Sequence, residues 1–588
     1  MCRKILFVFF IIGMASMAFG SIINVPAEQP TIQAGINAAV NGDTVLVANG
    51  TYLENIKIMG KAITLASHFL MNGDSKHINN TIIDGSQPFN TDSASVIMTF
   101  DSPGLNKICG FTLTGGSGKK TVWPNGSFTI LGAGVYIQHS SAEIINNYII
   151  NNSIYSSSPS SAILGGGIFW GANAFSGFTL RISGNIIAGN EITGGQTGGG
   201  GINISNYVIG GELDYLIEEN TIENNTVTNI DIWKAMGGGI FIDCCLPTVG
   251  DQIIRNNIIR NNSVNCSHSF GGGIYFIIRD TDSSGTVDNN PGPYVYNNII
   301  SGNNSDYLGA GVSVWRAFYI PGHQSIPLQS AGNYVPKPSF INNTIVNNTA
   351  QDGSGFFIMN HVPFLMNNII RNNYPVNAEW GEIFLGNEPY WLQNVEPNHY
   401  QGVMMFYNDL QGGWDPDSGQ GNIDEEPLFA DTLFNLSDSS YCIGNGIDSI
   451  DLNGVSYIAP STDFYGQARP NPIDVYIDIG AIESPYERNP LGLRYNSIEL
   501  PVKYSLQQNY PNPFNPTTTI EFGLPQTGFV TLKIYNIIGE ELATLVSDRL
   551  TAGNYKYDWN ASGLASGVYL YCLEAGSFKQ TKKLILLK

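Results

Sequence analysis

The chain is short of charge, and of positive charge in particular. Only 13% of its 588 residues are Asp, Glu, Lys or Arg, about half of the usual quarter. The 48 acidic residues outnumber the 27 Lys and Arg, which gives a formal net charge of −21. A chain with so few Lys and Arg residues lacks the basic surface that binds a phosphate backbone. We therefore expect no nucleic-acid partner. Disorder is excluded too, because 43% of the residues are apolar and 11% are aromatic.

Cysteine pairs, long apolar runs and known catalytic phrases are also missing. Of the seven cysteines, six follow residue 20, too few for a disulfide framework in so long a chain, and the absence of a Cys-x-x-Cys pair gives no support to a zinc or redox site. After residue 20 no run approaches ~18 apolar residues, so the mature chain has no predicted transmembrane segment. The His residues form no metal-spaced pair, and neither a Gly-x-Ser-x-Gly elbow nor a phosphate-binding loop is present. The sequence therefore gives no certain cofactor.

Residues 1–20 have the pattern of an export signal. Arg3 and Lys4 precede the apolar run Ile5–Ile12, and Ala18-Phe19-Gly20 forms a small-residue cleavage site before Ser21. The apolar run is too short to span a bilayer. This combination is typical of a secretory signal peptide, so we predict a secreted protein.

Two short phrases alternate through the middle of the chain. The first begins and ends in Asn and occurs at Asn147–Asn152, Asn185–Asn190, Asn220–Asn225, Asn257–Asn262, Asn298–Asn303, Asn343–Asn348 and Asn368–Asn373. The second is a Gly cluster followed by an apolar run, at Gly132–Ile137, Gly165–Trp170, Gly199–Ile204, Gly237–Ile242, Gly271–Phe276, Gly309–Val314 and Gly353–Ile358. Such self-similarity is the mark of a repeat architecture.

The spacing of the phrases selects the kind of repeat. The tightest circuit, from Asn343 to Asn368, is 25 residues long. A helical solenoid needs ~33–47 residues and a 3.6-residue periodicity, which is absent. Twenty-five residues can instead form three short strands and three turns, with loop insertions in longer circuits. Asn and Gly tolerate the left-handed conformation of tight bends. Stacked coils would align the Asn side chains about 4.8 Å apart in amide ladders. The sequence therefore predicts an all-β parallel solenoid.

This pattern resembles the right-handed parallel β-helix proteins of the pectate-lyase-like superfamily. Residues 23–57 match the N-terminal segment of many secreted members, in which Thr31–Ala39 would form a short helix, capped by Thr31, that closes the open end of the core. Residues 421–429, 441–443 and 478–481 resemble the closing coil of the same group. The resemblance implies a right-handed parallel β-helix over residues 21–484. It does not select a function, because the superfamily includes lyases, hydrolases, adhesins and non-catalytic surface proteins.

The C-terminal part has a different pattern. Residues 485–503 are predicted to be a linker, and residues 504–588 contain short alternating runs between Gly and Pro turns, as in a small Ig-like β-sandwich. The phrase Tyr510-Pro511-Asn512-Pro513-Phe514-Asn515-Pro516 and the basic-apolar tail Lys582–Lys588 resemble the C-terminal sorting domain of type IX secretion cargo. The resemblance implies passage across the outer membrane by the type IX machinery, to the outside or to the cell surface. A carbohydrate-binding or spacer sandwich is the alternative.

Strand alternation assigns a direction to the residues after each Gly cluster. The first residue must point inward and the second outward. Five of the outward residues are aromatic, namely Tyr136, Phe169, Phe241, Tyr275 and Phe357, and the column is interrupted at Asn203 and Ser313. Two interpretations follow. The rings form a surface on which sugars stack, or the long loops cover them.

A candidate calcium loop lies in one insertion. Asp280, Asp282, Ser284 and Asp288 place oxygens at positions 1, 3, 5 and 9, with Gly at position 6. Position 12 is Pro291 rather than Glu, so a merely solvated turn is the alternative.

Candidate catalytic residues come from the resemblance. It implies that a polysaccharide lyase on this scaffold would use Arg or Lys as a base. The candidates are Arg279, beside the Asp loop, and Arg260 and Arg371, at equivalent turn positions, with a surface role as the alternative for each. The complete set of polygalacturonase motifs is not present.

We interpret the chain as a secreted or cell-surface β-helix protein that contacts extracellular polysaccharide. One alternative is a polysaccharide lyase or glycoside hydrolase on the same scaffold, and another is an adhesin or structural surface protein. The net charge of −21 disfavours anionic glycans unless calcium bridges them. The sequence does not decide whether the protein is an enzyme.

Overall fold

The structure is a computed structural model of the whole chain. It describes residues 20–159, 161–172, 177–206, 213–230, 235–246, 250–280, 293–318, 338–359, 363–376, 382–386, 404–412, 419–452, 454–471, 476–486, 493–495, 501, 503–526, 528–550 and 553–587. The predicted signal peptide therefore lies outside the described residues, apart from Gly20. The chain divides into two compact units, one containing residues up to Ile423 with Ser449–Tyr465, the other Asp424–Asp448 and the chain from Gly466 on. The predicted boundary at residue 484 stays a prediction.

The first unit is a parallel β-solenoid, as the repeats predict. Its strands form five sheets, numbered I to V in the order in which the chain passes through them in a complete coil. The prediction of three strands per coil is wrong, because a complete coil has five strands. Up to Phe270, the segment between an Asn phrase and the next Gly cluster forms two more short strands, in sheets III and IV, and in the later coils it forms only the sheet III strand.

Sheet I contains Ile22–Val25, Thr44–Val47, Thr64–Ser67, Leu105–Cys109, Ser141–Ile145, Phe178–Ser183, Leu213–Glu218, Gln252–Arg255, Tyr294–Tyr296, Ser339–Ile341, Phe364–Met366, Met404–Phe406 and Gly419–Gln420. Sheet II contains Gly50–Tyr52, Thr81–Asp84, Thr112–Thr114, Tyr148–Ile150, Ile186–Ala188, Thr221–Glu223, Ile258–Arg260, Ile299–Ser301, Thr344–Val346, Ile369–Arg371 and Asp409–Leu410.

Sheet III contains Ser153–Tyr155, Glu191–Gly194, Thr226–Asn229, Ser263–Asn265, Asn304–Ser305, Thr349–Ala350 and Tyr374–Pro375. Sheet IV contains Ser93–Ala94, Gly118–Val122, Phe128–Leu131, Ser161–Leu164, Gln196–Gly198, Ala235–Met236 and Ser269–Phe270. Sheet V contains Ile56–Met59, Ile97–Phe100, Val135–Gln138, Ile168–Ala172, Ile202–Asn206, Ile240–Leu246, Ile274–Asp280, Val312–Phe318, Phe356–Met359 and Ile383–Gly386.

One apolar core runs through the solenoid from Val25 to Leu410. The residues that follow the Gly clusters point into it, as predicted, and all seven are fully buried: Val135, Ile168, Ile202, Ile240, Ile274, Val312 and Phe356. Inward-pointing strand residues therefore pack on their counterparts in the next coil. This burial is the main favourable contribution to folding.

Two ladders of asparagine amides line this core, as the stacked Asn phrases predict. The first ladder is Asn147, Asn185, Asn220, Asn257, Asn298, Asn343, Asn368, Asn408 and Asn422, and the second is Asn152, Asn190, Asn225, Asn262, Asn303, Asn348 and Asn373. At Asn257 the oxygen accepts from the N–H and the side-chain amide of Asn220. Its own amide donates to Asn298 Oδ1, at 2.9 Å, and to the carbonyl of Ile217. Each rung therefore binds both neighbouring coils.

The chain bends sharply at the residue before each rung. In the first ladder it is Asn256 before Asn257 and in the second Asn261 before Asn262, both with φ of +54°. Gly takes this place in some coils, for example Gly302 at +64°. Asn and Gly are the residues that adopt this left-handed conformation most readily. The Asn-rich composition thus has two separate causes, bends and buried rungs.

A short helix, Ile32–Ala38, lies beside the first strands of the solenoid. Its N-terminus is capped by the Thr31 hydroxyl, which accepts from the N–H of Ala34 at 3.1 Å. Ile32 and Ile36 are buried in the solenoid core, and the role of this helix as a cap stays a prediction. The other helices in the described part of the chain are Phe69–Asn72 and Lys76–Asn80. An antiparallel hairpin, Ser449–Leu452 with Val455–Ile458, belongs to the same unit, and its Tyr457 stacks on Phe364 of sheet I with 3.7 Å between ring centroids.

The second unit contains two four-stranded antiparallel sheets. One has the order Leu493–Tyr495, Gly553–Asn560, Thr517–Leu524 and Ser505–Leu506, and the other Glu541–Leu550, Gly528–Tyr535, Gly567–Ala575 and Phe578–Leu586. They share one apolar core, to which Ile520 and Phe522 contribute from one sheet and Leu532 and Leu573 from the other. The two sheets therefore form a β-sandwich, and one of its strands, Leu493–Tyr495, lies within the predicted linker 485–503, while the predicted domain bounds stay a prediction. The specific Ig-like topology stays a prediction.

In the second unit, a buried arginine contacts the segment 478–483. Arg469 pairs with Glu483 at 3.1 Å, and its guanidinium donates to the carbonyl oxygens of Asp478, Gly480 and Ala481. Both partners of the ion pair are buried. Removal of one partner of a buried ion pair strongly destabilises a protein, because the other charge is left buried without a partner.

The cysteines of the described residues are not disulfide-bonded. Cys109, Cys266, Cys442 and Cys572 are buried, as expected for small apolar residues, and form no disulfide. The side chains of Cys244 and Cys245 lie outside the described part. Among the residues that the structure describes, no helix has the length and apolar character needed to cross a membrane.

We predict that Asn262→Ala destabilises the solenoid by about 3 kcal/mol or more, because it leaves the buried N–H and amide of Asn225 without their acceptor. The matched control is Asn261→Gly, at the exposed bend residue beside it, which should be nearly neutral since Gly adopts the same φ. Urea unfolding followed by circular dichroism measures both. Equal losses would contradict the role of the ladder.

A second prediction concerns the carboxylate that ends the second ladder. Glu382 accepts from the N–H and the side-chain amide of Asn373, at 3.0 and 3.2 Å. Burial raises the pKa of Glu382 to about 7, although the bonds from Asn373 and the charge of Arg371 act in the opposite direction and Asp409 adds to the rise. The folded protein thus holds a proton that the unfolded chain releases near the usual pKa of glutamate.

Stability should therefore fall by roughly 2–3 kcal/mol as the pH rises from about 4.5 to 7. In Glu382→Gln, which cannot ionise, this part of the pH dependence should disappear. Urea titrations across that pH range test both proteins, and identical slopes would show that Glu382 is not the source.

Candidate functional site

The outer face of sheet I carries a row of polar side chains. The residues two positions before the rungs of the first ladder point outward, and pairing in register places Glu218, Arg255 and Tyr296 side by side in successive coils. Arg181 lies one coil earlier and reaches the same carboxylate. We call Arg181, Glu218, Arg255, Tyr294 and Tyr296 the arginine strip.

Glu218 is the centre of the arginine strip. It is only 3% exposed, and its two oxygens accept from Arg181 Nη2 at 2.6 Å and from Arg255 Nη2 at 2.7 Å. Burial opposes its ionisation, but the bonds and charges of Arg255 and Arg181 outweigh burial and lower the pKa of Glu218. The carboxylate is therefore charged and holds both guanidinium groups in fixed orientations.

The two arginines remain accessible from outside. Their side chains are 46% and 38% exposed for Arg181 and Arg255. Arg255 also donates to Tyr296 Oη at 3.0 Å. Tyr294 is half-buried, and burial, with a smaller effect of Asp251, raises its pKa, so that it keeps its proton. The strip thus offers fixed N–H and O–H donors to a ligand that is rich in oxygen atoms.

Two of the predicted catalytic arginines lie on the neighbouring sheet II. Arg260 and Arg371 occupy the same register position three coils apart, as the sequence suggests. Arg260 pairs with Glu223 at 2.6 Å, and Arg371 is buried and pairs with Asp409 at 3.0 Å. Neither of them belongs to the arginine strip. Arg260 and Arg371 therefore do not share one site, and the catalytic role predicted for them and for Arg279 stays a prediction.

The predicted calcium loop cannot be placed. Asp282, Ser284 and Asp288 lie outside the described residues, as do the side chains of Arg279 and Asp280, whose backbone ends a strand of sheet V. Among the residues that are described, no three His, Cys, Asp or Glu side chains are grouped as metal ligands would be. The calcium loop stays a prediction.

The predicted sugar-stacking rings lie in the corner between sheets IV and V. Tyr136, Phe169, Phe241, Tyr275 and Phe357 are at most 6% exposed. Leu131 and Leu164 pack against the first two rings, and Phe270 and Leu308 belong to the cluster that holds the other three. Buried rings have no free face, so these five residues do not form a stacking surface. Strands of sheet IV help to cover these rings, a role that we predicted for long loops.

Sequence reasoning missed the arginine strip, although a signal for it exists. Arg181 and Arg255 bind a glutamate that is 37 residues from each of them in the sequence. Alignment on the rungs of the first ladder, rather than on the Gly clusters, would have placed Glu218, Arg255 and Tyr296 in one column. Nothing in the sequence indicates that Glu218 is buried.

In the sandwich, the predicted sorting phrase Tyr510–Pro516 contacts the end of the chain. Asn512 accepts from the N–H of Ile585 at 2.9 Å and donates to the carbonyl of Lys583 at 3.3 Å. Phe514 is buried against Trp559 and bonds through its backbone to Ile585 and Leu587. Tyr510, in contrast, is 81% exposed. The phrase therefore holds the last strand, Phe578–Leu586, and presents one aromatic ring to solvent.

Comparison with known proteins supports the prediction of a C-terminal sorting domain. The family described as the secretion system C-terminal sorting domain matches residues 508–587. No curated protein and no solved structure matches the chain. Residues 508–587 are a type IX sorting domain, so the protein is secreted, and proteins of this kind are often attached to the cell surface. The relation of the solenoid to the pectate-lyase-like superfamily stays a prediction.

We predict that Asn512→Ala loosens the C-terminal strand by about 1–2 kcal/mol, because the N–H of Ile585 loses its acceptor. Amide exchange at Ile585 should become faster, and less protein should reach the medium. Asn515→Ala, at an exposed residue of the same phrase, is the matched control and should behave like the wild type. Unchanged exchange in Asn512→Ala would show that the phrase does not hold the strand.

Proposed function

We propose that this protein is a secreted or cell-surface β-solenoid protein that contacts extracellular polysaccharide along the outer face of sheet I. The observation that carries the proposal is the arginine strip, in which a buried carboxylate orients two accessible guanidinium groups beside two tyrosines. Groups that are oriented before binding lose little conformational entropy when a ligand arrives.

The geometry of a parallel sheet supports a long ligand. Equivalent outward positions recur about every 4.8 Å along the stack of strands. Thus a chain that lies along the solenoid axis passes Arg181, then the strand of Glu218, and then Arg255 and Tyr296 in the next two coils. Planar guanidinium groups and tyrosine rings bind sugars through hydrogen bonds and through contact with their apolar faces.

Binding is favoured over catalysis by the state of the charged groups. Glu218 is held as a carboxylate between two arginines, which lowers its ability to accept a proton. Arg260 and Arg371, the described candidates for a lyase base, are each occupied by a carboxylate. A lyase or hydrolase on this scaffold stays the alternative.

The prediction is that Arg255→Gln weakens polysaccharide binding about tenfold or more, because a charged hydrogen bond contributes about 1.5–3 kcal/mol. Arg181 still pairs with Glu218 in this variant. Affinity electrophoresis of the secreted protein on a panel of soluble polysaccharides, neutral and acidic, measures the effect. Arg260→Gln is the matched control, since Arg260 is similarly exposed and also paired, but lies on sheet II.

The same incubations are assayed for new reducing ends and for unsaturated products. New ends would establish the catalytic alternative. The absence of binding across the panel, with both variants folded, would contradict polysaccharide contact and favour an adhesin or structural role.

A further inference from the structure

The predicted cleavage site lies beside a carboxylate that solvent scarcely reaches. Ser21 is the first residue after the predicted signal peptide. Its N–H and its hydroxyl group both donate to Asp43 Oδ1, each at 2.8 Å, and Asp43 is only 5% exposed. When the peptide bond between Gly20 and Ser21 is cut, the nitrogen of this N–H becomes the α-amino group of the chain. Asp43 is therefore placed to receive the new N-terminus.

Asp43 joins three segments at the beginning of the solenoid. Its other oxygen accepts from the N–H of Val40 at 2.9 Å, just beyond helix Ile32–Ala38. Asp43 itself directly precedes strand Thr44–Val47, which pairs with the edge strand of sheet I, Ile22–Val25. Because that edge strand has a neighbour on one side only, its attachment depends on the contacts at its ends.

The charge of Asp43 is only partly compensated in the uncut chain. The hydrogen bonds from Val40 and Ser21 outweigh burial and lower the pKa of Asp43, and the charge of Lys61 adds to this effect. The group is therefore a carboxylate at neutral pH. Lys61 forms no ion pair with it, since its ammonium group donates to the carbonyl of Ala39 at 2.7 Å and to two carbonyls of the helix. Among the described residues, no other cation pairs with Asp43.

We propose that cleavage between Gly20 and Ser21 creates an ion pair between the α-ammonium group of Ser21 and the carboxylate of Asp43, which fastens the first strand of the solenoid in the mature protein. The step is hydrolysis by a signal peptidase. Water supplies the oxygen of the new Gly20 carboxylate and the two protons that turn the Ser21 N–H into an ammonium group. This group is charged at neutral pH, since an α-amino group has a pKa of about 7.7–8.0. A neutral donor is thus replaced by a cation at the same place.

The position of the cut decides whether the ion pair forms. An extended residue spans about 3.3–3.6 Å. One additional residue therefore carries the ammonium group away from the oxygen that lies 2.8 Å from the Ser21 nitrogen. The cleavage pattern Ala18-Phe19-Gly20 and the contact of Ser21 with Asp43 are independent observations that select the same peptide bond. The ion pair is separate from the arginine strip and does not depend on the proposed function.

The test compares two forms of the full secreted chain, made by cleavage of a removable N-terminal fusion. One form begins at Ser21, and the other retains Gly20, where a Cβ would collide with the carbonyl of Gly42. The N–H of Thr44 donates to the carbonyl of Ser21 at 2.8 Å and reports on the attachment of the first strand. Its hydrogen exchange should be about fivefold slower in the form that begins at Ser21, because a charged donor strengthens the bond that holds this end of the strand.

Two further samples isolate the charge. Acetylation of the Ser21 amino group removes its charge and leaves Asp43 unchanged, so exchange at Thr44 should rise to that of the longer form. In Asp43→Asn the difference between the two forms should disappear. Asp306→Asn, at an exposed aspartate of a later coil, is the matched control and should keep the difference.

N-terminal sequencing of the protein from its natural host should give Ser21 as the first residue, and any other first residue would overturn the proposal. Equal exchange at Thr44 in the free, acetylated and longer forms would also overturn it. So would a difference between the two forms that persists in Asp43→Asn. If circular dichroism shows that Asp43→Asn does not fold, the comparison with the acetylated form decides alone.

Discussion

Each buried asparagine amide of the two ladders needs the coil before it and the coil after it. Its oxygen accepts from one neighbour and its amide donates to the other, as at Asn257. A rung that slipped by one residue would leave several buried polar groups without partners, at about 1–3 kcal/mol for each. The ladders therefore fix the register of every coil, and the strands between them follow that register.

The same constraint decides where variation is allowed. Inward positions must be apolar, rungs must be Asn, and bend residues must tolerate a positive φ, which leaves only outward positions and insertions free. Glu218 and Arg255 occupy outward positions, and the antiparallel hairpin formed by Gly118–Val122 and Phe128–Leu131 is an insertion. At the end of the second ladder the constraint is relaxed, so that Glu382 can take the place of the next amide.

Features that depend on the repeat could be predicted from the sequence. The ladders, the inward residues after the Gly clusters and the sandwich follow from residue type and spacing. Sheets III and IV were missed because the segments between the Asn phrases and the Gly clusters differ in length and residue type from coil to coil and do not recur as a phrase. The burial of Tyr136 and Phe169 depends on contact with Leu131 and Leu164 of another sheet, which no local pattern reveals. The arginine strip was missed for a similar reason, since its ion pairs join residues in different coils.

In the sorting domain, the sorting phrase is not needed for ladders but contacts a strand at the edge of a sheet. A strand such as Phe578–Leu586, at the edge of its sheet, exposes backbone groups that can pair with other chains. Asn512 and Phe514 occupy some of these groups, so the phrase that marks the domain in the sequence is also a part that completes its last strand. Its buried members are constrained by the fold, as the ladder residues are, whereas Tyr510 is free of that constraint. Residues that the fold does not need are the ones that remain available for recognition, in the sandwich as in the solenoid.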